Sequence, residues 1–177
     1  MIDTDYPIES LRILLNEDCL SDRFHPLISI REDLIIGLKS CGCVTKNDVS
    51  RLSDGELAGI MLHDEAKVDE AKVKLFRRFL TIYDPNPQKF KEIPKLTSDP
   101  AEQAAFWELY HLPGVRYTRA YLYYHAGYKT LRDLAETAVE EVLSKTAMTI
   151  SNENLTCIVP LPKEVRTHIA VAKAFSR

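Results

Sequence analysis

The chain has 177 residues, of which 45% are hydrophobic and 28% are charged, with only six glycines and nine prolines. This composition excludes collagen-like and disordered proteins and is typical of one globular domain or two small ones. The formal net charge of -3 excludes a protein that coats nucleic acid through bulk positive charge, and leaves room for a local basic patch. No stretch approaches about 20 apolar residues and the first ten residues are acidic, so we expect neither a membrane span nor a secretory signal, and a cytoplasmic location.

The chemistry-bearing residues form no motif that points to catalysis or metal binding. The four cysteines include a C-x-C pair at Cys41 and Cys43, which is not the spacing of a zinc knuckle. No P-loop, nucleophile elbow, H-E-x-x-H motif or dinucleotide fingerprint is present. We therefore expect a non-enzymatic protein with no metal, no cofactor and no small-molecule substrate.

Apolar residues recur at three- and four-residue spacing through nearly every segment, and this periodicity predicts an all-α protein. Helix-start signals support it: Ser53 precedes Glu56 as a capping box, and Pro100 and Pro162 stand at first-turn positions. The predicted helices span roughly Ile8 to Asn16, Ile30 to Cys41, Lys46 to Arg51, Asp54 to Leu62, Glu65 to Tyr83, Pro100 to His111, Arg116 to Ala126, Leu131 to Glu136, Val139 to Lys145 and Pro162 to Phe175.

One segment, DPNPQKFKEIPKLTSD at residues 84–99, contains three prolines and has no periodicity. A proline-containing stretch of this length is semi-rigid and extended. It predicts a division into a first unit at residues 1–84, a connector at 85–99 and a second unit at 100–177.

An internal repeat flanks this connector. A shift of 85 residues aligns residues 38–57 with residues 123–142, and the same shift places Leu27 on Leu112 and Arg31 on Arg116. The matches combine a glycine, a helix cap and a core position at fixed separations, which predicts two related units. The aligned pairs are Gly42 with Gly127, Thr45 with Thr130, Asp48 with Asp133, Val49 with Leu134 and Glu56 with Glu141.

The second unit contains a turn followed by a helix and a second glycine. Pro113 and Gly114 favour a tight turn, and the helix that follows is expected to end at Gly127, where a positive φ is needed. This string resembles the helix-hairpin-helix motif. The matching residues are Leu112, Pro113, Gly114, Val115, Ala120, Gly127, Tyr128, Thr130, Leu131, Asp133 and Leu134.

The tail of the chain carries a narrower resemblance. It is similar to the closing segment of the DUF4332 family, an uncharacterised and mainly bacterial family of tandem helix-hairpin-helix proteins, with His168 standing where that family usually has tryptophan. The resemblance implies an all-α fold of two related helix-hairpin-helix (SAM-like) units, the first one degenerate and closed by its long helix, and a closing C-terminal helix. The residues that fit are Val159, Pro160, Val165, Ile169, Ala172, Lys173 and Phe175.

The helix-hairpin-helix resemblance implies binding to a DNA or RNA backbone without sequence specificity, through hairpin amides that face a phosphate. The second glycine of the motif is Arg116 here, and the first unit has neither glycine. Arg116 would either shield the amides or reach a phosphate as a charged fork, and a motif kept only for packing is the alternative. The candidate nucleic-acid-binding residues are Gly114, Val115, Arg116, Thr118, Arg119, Lys129 and Arg132.

An aromatic stripe is predicted on the helix after the hairpin. Tyr117, Tyr121 and His125 follow one another at spacing four, on the side opposite the expected core residues Ala120 and Tyr123. Such a stripe serves to pack against the first unit or the connector, to stack bases, or to bind a partner helix. A protein-interaction or scaffold module that uses this stripe is therefore the alternative function.

Overall fold

The computed structural model describes residues 5–17, 20–61, 70–83 and 96–176. Within these residues every regular element is helical, and the isolated β-bridge joins Pro7 to Thr45. The all-α prediction is confirmed. The chain divides into two compact units, whose described residues are 5–83 and 96–176. Cys19, Leu62, the start of the helix predicted from Glu65 and residues 85–95 of the predicted connector lie outside the described residues.

The N-terminal unit is built around an aromatic cluster. The ring centroids of Phe24 and Phe79 are 5.6 Å apart, those of Phe79 and Tyr83 are 4.6 Å apart, and Phe76 stacks on Phe79 at 6.2 Å. Its elements are 3₁₀ turns at Ile8–Ser10 and Asp22–Leu27 and helices α1 (Leu11–Leu14), α2 (Arg31–Ser40), α3 (Lys46–Arg51), α4 (Asp54–Met61) and α5 (Glu70–Ile82).

The first predicted helix is shorter than the periodicity indicates. A 3₁₀ turn and the single α-turn of α1 replace the continuous helix expected over residues 8–16. The leucines that produced the helical pattern, Leu11, Leu14 and Leu15, are all buried. Apolar spacing of three and four is satisfied by a 3₁₀ turn that runs into one α-turn, so the pattern alone does not separate the two.

In the C-terminal unit the last helix closes the core. Its elements are α6 (Pro100–Tyr110), α7 (Tyr117–His125), α8 (Leu131–Ala135), α9 (Val139–Asn152) and α10 (Pro162–Phe175). Helix α10 packs against α8 and α9, and α6 packs against α7. The buried side of α10 includes Val165, His168, Ile169 and Phe175.

Helix α9 extends well beyond the predicted end at Lys145. Thr146 and Thr149 are buried in its second half, and their hydroxyls donate to the carbonyls of Val142 and Lys145, at 2.7 and 2.9 Å. Because each hydroxyl is satisfied inside its own helix, a threonine can occupy the buried face. Because threonine is polar, a search for regularly spaced apolar residues does not detect this buried face.

The aligned glycines of the two units, Gly42 and Gly127, have similar backbone geometry. Gly42 and Gly127 both have positive φ, +79° and +99°. The next residue in each case closes the turn with a 3.0 Å hydrogen bond, from Cys43 N to Leu38 O and from Tyr128 N to Tyr123 O. This is the Schellman arrangement that ends a helix at a left-handed glycine.

The helix that follows this turn also starts in the same way in both units. Thr45 and Thr130 are N-caps with φ/ψ of -127°/167° and -128°/163°. Each helix has a capping box, in which the carboxylate of Asp48 or Asp133 accepts from the N-cap amide at 3.0 and 2.8 Å. The two units therefore share one local structure from the glycine through the first turn of the next helix.

The repeat does not extend to the hairpin. Gly114 has φ +84°, whereas its aligned partner Ser29 is not among the described residues that have positive φ. The N-cap of α2, Ile30, has φ/ψ of -105°/3°, and the N-cap of α7, Arg116, has -119°/177°. At the aligned hairpin positions, which are described in both units, a left-handed glycine before an extended N-cap is present in the C-terminal unit and absent from the N-terminal unit.

Candidate nucleic-acid interface

The hairpin is a short turn that has buried residues at its two ends and an exposed glycine between them. Leu112 and Val115 are buried, and Val115 N donates to Leu112 O at 2.9 Å. Gly114 lies between them and is exposed, in a backbone conformation that costs other L-residues roughly 1–2 kcal/mol. The two buried side chains thus hold the backbone of Gly114 at the surface.

The start of α7, directly after this turn, has no side-chain cap. Its N-cap residue, Arg116, makes no capping hydrogen bond, whereas Asp99 and Asp133 accept amides at the starts of α6 and α8. The first-turn amides of α7 therefore keep their partial positive charge without a side-chain acceptor at the N-cap. Arg116 is exposed and makes no ion pair or hydrogen bond within the described part of the chain, and Thr118 is exposed beside it.

The side chain of Arg119, in contrast, already has hydrogen-bond partners within the C-terminal unit. Its Nε and Nη2 donate to the two carboxylate oxygens of Glu164 at 2.7 and 3.2 Å, and Nη1 donates to Ile158 O at 2.6 Å. Only 14% of its side chain is exposed. Burial alone would raise the pKa of Glu164, but the hydrogen bonds from Arg119 and from the Leu161 amide outweigh it and lower that pKa. Arg119 joins α7 to α10, and its donors are directed into the protein.

Lys129 and Arg132 lie beyond the other end of α7. Lys129 Nζ is 3.3 Å from the centroid of the Tyr124 ring, and Arg132 pairs with Glu136 at 2.8 Å on an exposed surface of α8. Nine residues of α-helix separate them from Arg116, a rise of roughly 13 Å. Of the seven predicted residues, the structure therefore brings together the hairpin group, which consists of Gly114, Val115, Arg116 and Thr118.

The aromatic stripe begins directly after the hairpin. Tyr117 is the first residue of α7, 41% of it is exposed, and its ring centroid is 6.0 Å from that of Tyr121. Tyr121 stacks on His125 with centroids 4.1 Å apart, and His125 Nδ1 lies 3.2 Å from the carboxylate of Glu153. The three predicted residues thus form one continuous row that has an acidic residue at its far end.

A buried histidine supports the hairpin, and sequence analysis did not identify it as functional. His168 is 3% exposed, its Nδ1 lies 2.7 Å from the Tyr123 hydroxyl, and a Cβ built on Gly114 would lie 3.4 Å from its Nε2. Burial lowers the pKa of His168 to about 4, so the imidazole is neutral near pH 7. No local signal identified it, since its partner Tyr123 is 45 residues away in the sequence.

Three further features concern metal binding, the cysteines and membrane crossing. Within residues 5–17, 20–61, 70–83 and 96–176, no group of three or more histidine, cysteine or acidic residues is arranged to hold a metal ion. The thiols of Cys41, Cys43 and Cys157 are free. No helix in this described part is both long enough and apolar enough to cross a membrane.

No protein-family model matches this sequence, and no curated protein or solved structure matches the chain. Function is therefore inferred from the hairpin group and the aromatic stripe.

Proposed function

We propose that the chain is a tandem helix-hairpin-helix protein and that its C-terminal unit binds the sugar–phosphate backbone of DNA or RNA without reading the base sequence. The observation that carries this proposal is the start of α7. There, uncapped first-turn amides follow an exposed left-handed glycine, and the neighbouring Arg116 has no partner within the described residues. Amides at a helix start favour an anion, and a phosphate can accept from several of them at once.

The exposed Arg116 favours the second of the two roles considered for it. Its backbone is extended at the N-cap and its side chain does not fold back to cap α7. An arginine in this position adds a planar fork of donors that matches two phosphate oxygens. Phosphate contacts of this kind fix a protein on nucleic acid and carry no sequence information.

The repeat supports the tandem assignment, and the difference between the units supports a single phosphate site. Both units share the glycine turn and the capping box, at Gly42 and Thr45 and at Gly127 and Thr130. The N-terminal unit has no counterpart of the Gly114 turn among its described residues. We assign the N-terminal unit a structural role and expect weak binding with a shallow salt dependence, because few phosphates are neutralised.

A fluorescence-anisotropy titration with labelled single- and double-stranded oligonucleotides, at about 50 and 200 mM salt, tests this proposal. The wild-type protein should bind at low salt and more weakly at high salt. Arg116→Ala should reduce affinity several-fold and lower the salt slope by about one unit, since one phosphate contact is removed. Arg132→Ala removes the same charge from α8, beyond the other end of α7, and should leave affinity within about two-fold. Absence of binding at low salt would contradict the proposal.

A second candidate function is interaction with a protein through the aromatic stripe. It is favoured by the continuous row of Tyr117, Tyr121 and His125, whose rings contact one another on the outer side of α7. Aromatic rings contribute much to protein interfaces, and this binding should change little with ionic strength. The salt dependence of any observed binding therefore separates the two functions.

A further inference from the structure

We infer that the nucleic acid bound at the hairpin group is single-stranded, and that Tyr117 is the platform on which the base next to the bound phosphate stacks. This inference rests on the proposed function and specifies its substrate class. Tyr117 is adjacent in sequence to Arg116 and is the first residue of α7. A phosphate held at the helix start thus lies next to an aromatic ring that is 41% exposed.

The ring of Tyr117 is held in place from the protein side. It makes an edge contact with the buried Phe106, with centroids 5.8 Å apart, and the Tyr121 ring lies 6.0 Å away. A ring fixed by such contacts loses little further side-chain entropy when a ligand stacks on it. The platform is therefore already formed in the free protein.

An exposed aromatic ring beside a phosphate site favours single strands for a geometric reason. In a duplex, both faces of each base are covered by the neighbouring base pairs, and a protein reaches only the base edges in the grooves. In a single strand, unstacked bases offer their faces, and aromatic side chains bind those faces with little sequence preference. The first-turn amides and Arg116 can bind a phosphate in any nucleic acid. Tyr117 can stack only on a base whose face is not already covered by a neighbouring base.

The rest of the stripe limits the site to a short piece of strand. Tyr121 and His125 already stack on each other at 4.1 Å, so no base enters between them. The carboxylate of Glu153 lies 3.2 Å from His125 and places negative charge at the far end of the row. A second phosphate at that end would be repelled. The site therefore accommodates one phosphate and the base beside it.

The experiment compares three labelled probes of equal length: an oligothymidylate single strand, a duplex, and an abasic single strand that keeps the phosphates and lacks the bases. The wild-type protein should bind the oligothymidylate about 5- to 150-fold more tightly than the abasic strand, the range expected for stacking of one base. Tyr117→Leu should reduce oligothymidylate binding to the abasic level. Tyr117→Phe keeps the ring and should retain the preference.

The comparison between intact and abasic strands uses the wild-type protein, so it holds even where Tyr117→Leu weakens the contact with Phe106. Equal and salt-sensitive affinity for all three probes would overturn the single-strand inference and leave phosphate binding in place. No binding of any probe at low salt would overturn the proposed function and this inference together. Tighter binding of the duplex than of the single strand would also overturn the inference.

Discussion

The hydroxyl of Tyr123 lies 2.7 Å from Nδ1 of His168, and this buried pair joins α7 to α10 directly beneath the hairpin. Burial raises the pKa of Tyr123 far above its ordinary value, so the phenol remains protonated and can donate to the imidazole. On the opposite edge of the imidazole, Nε2 lies close to Gly114. A hydrogen bond with the Gly114 backbone raises the pKa of His168, but by less than burial lowers it. Helix α10 therefore contacts the turn through His168.

This pair predicts that stability falls in mild acid. The pKa of His168 is about 4 in the folded chain and about 6.5 in an unfolded one, because burial disfavours the charged ring. The unfolded state binds the proton more readily, so the contribution is fully present above about pH 6.5 and is lost as pH falls toward 4. Over that interval the loss should reach about 3 kcal/mol.

Chemical denaturation at about pH 7 and pH 4.5 measures this effect. His168→Gln cannot titrate in this range and should lose less stability between the two pH values than the wild-type protein. The pKa of the buried His111 is also lowered by desolvation and should leave some pH dependence in the variant. An identical pH dependence in both proteins would mean that His168 is not the titrating group.

Substitutions of Arg116 and Arg119, which are three residues apart, should affect different properties. The Arg116 variant should lose nucleic-acid affinity, and the Arg119 variant should lose stability. Arg119→Ala leaves the carboxylate of Glu164 partly buried without its bidentate partner, and should reduce the free energy of unfolding by about 2 kcal/mol. Arg116→Ala should change it by less than about 0.5 kcal/mol, since the side chain is exposed and without a partner in the described chain.

Urea denaturation and oligonucleotide titration of the same two variants form a crossed comparison. We expect Arg119→Ala to retain the salt slope of binding when it is measured where the variant is folded, and Arg116→Ala to lose part of that slope. If Arg119→Ala lowers the slope and Arg116→Ala does not, the placement of the phosphate at the start of α7 is incorrect.

The two glycines of the repeat should respond equally to substitution. Gly42 and Gly127 have φ of +79° and +99°, and a Cβ at either position would meet no atom within 4 Å. Backbone strain is then the principal cost, and Gly42→Ala and Gly127→Ala should each destabilise by roughly 1–2 kcal/mol. Gly59 in α4 is equally open and its φ is not positive, so Gly59→Ala should be neutral or stabilising. Thermal denaturation of the three variants measures these effects, and unequal costs at the two repeat positions would argue against equivalent turns.

Local rules predicted those parts of the fold that depend on neighbouring residues. The glycine turns and the helix caps at Thr45 and Thr130 follow from conformational freedom and short-range hydrogen bonds, so the sequence is sufficient for them. Helix α10 was predicted with its observed bounds, since Pro162 marks its start and its apolar spacing is regular. The end of α9 was missed because its buried threonines are polar.

The site was only partly predictable, because side-chain partners distant in sequence decide which charges are available. Arg119 and Glu164 are 45 residues apart, as are Tyr123 and His168, and no local pattern links either pair. The sequence therefore placed Arg119 in the same group as Arg116, and the fold directs the two side chains to different surroundings. The positions of Lys129 and Arg132 beyond the opposite end of α7 follow from the helix length, which was predicted to within a residue at each end.

The backbone amides themselves provide the most direct test of phosphate binding at the start of α7. In a ¹⁵N-labelled sample titrated with a short oligonucleotide at low salt, the amide signals of Tyr117, Thr118 and Arg119 should shift most. The amides of Thr130 and Asp133, which already have partners at the start of α8, should remain in place. Shifts confined to other surfaces, or none near residues 114–119 at saturating oligonucleotide, would contradict a phosphate-binding hairpin.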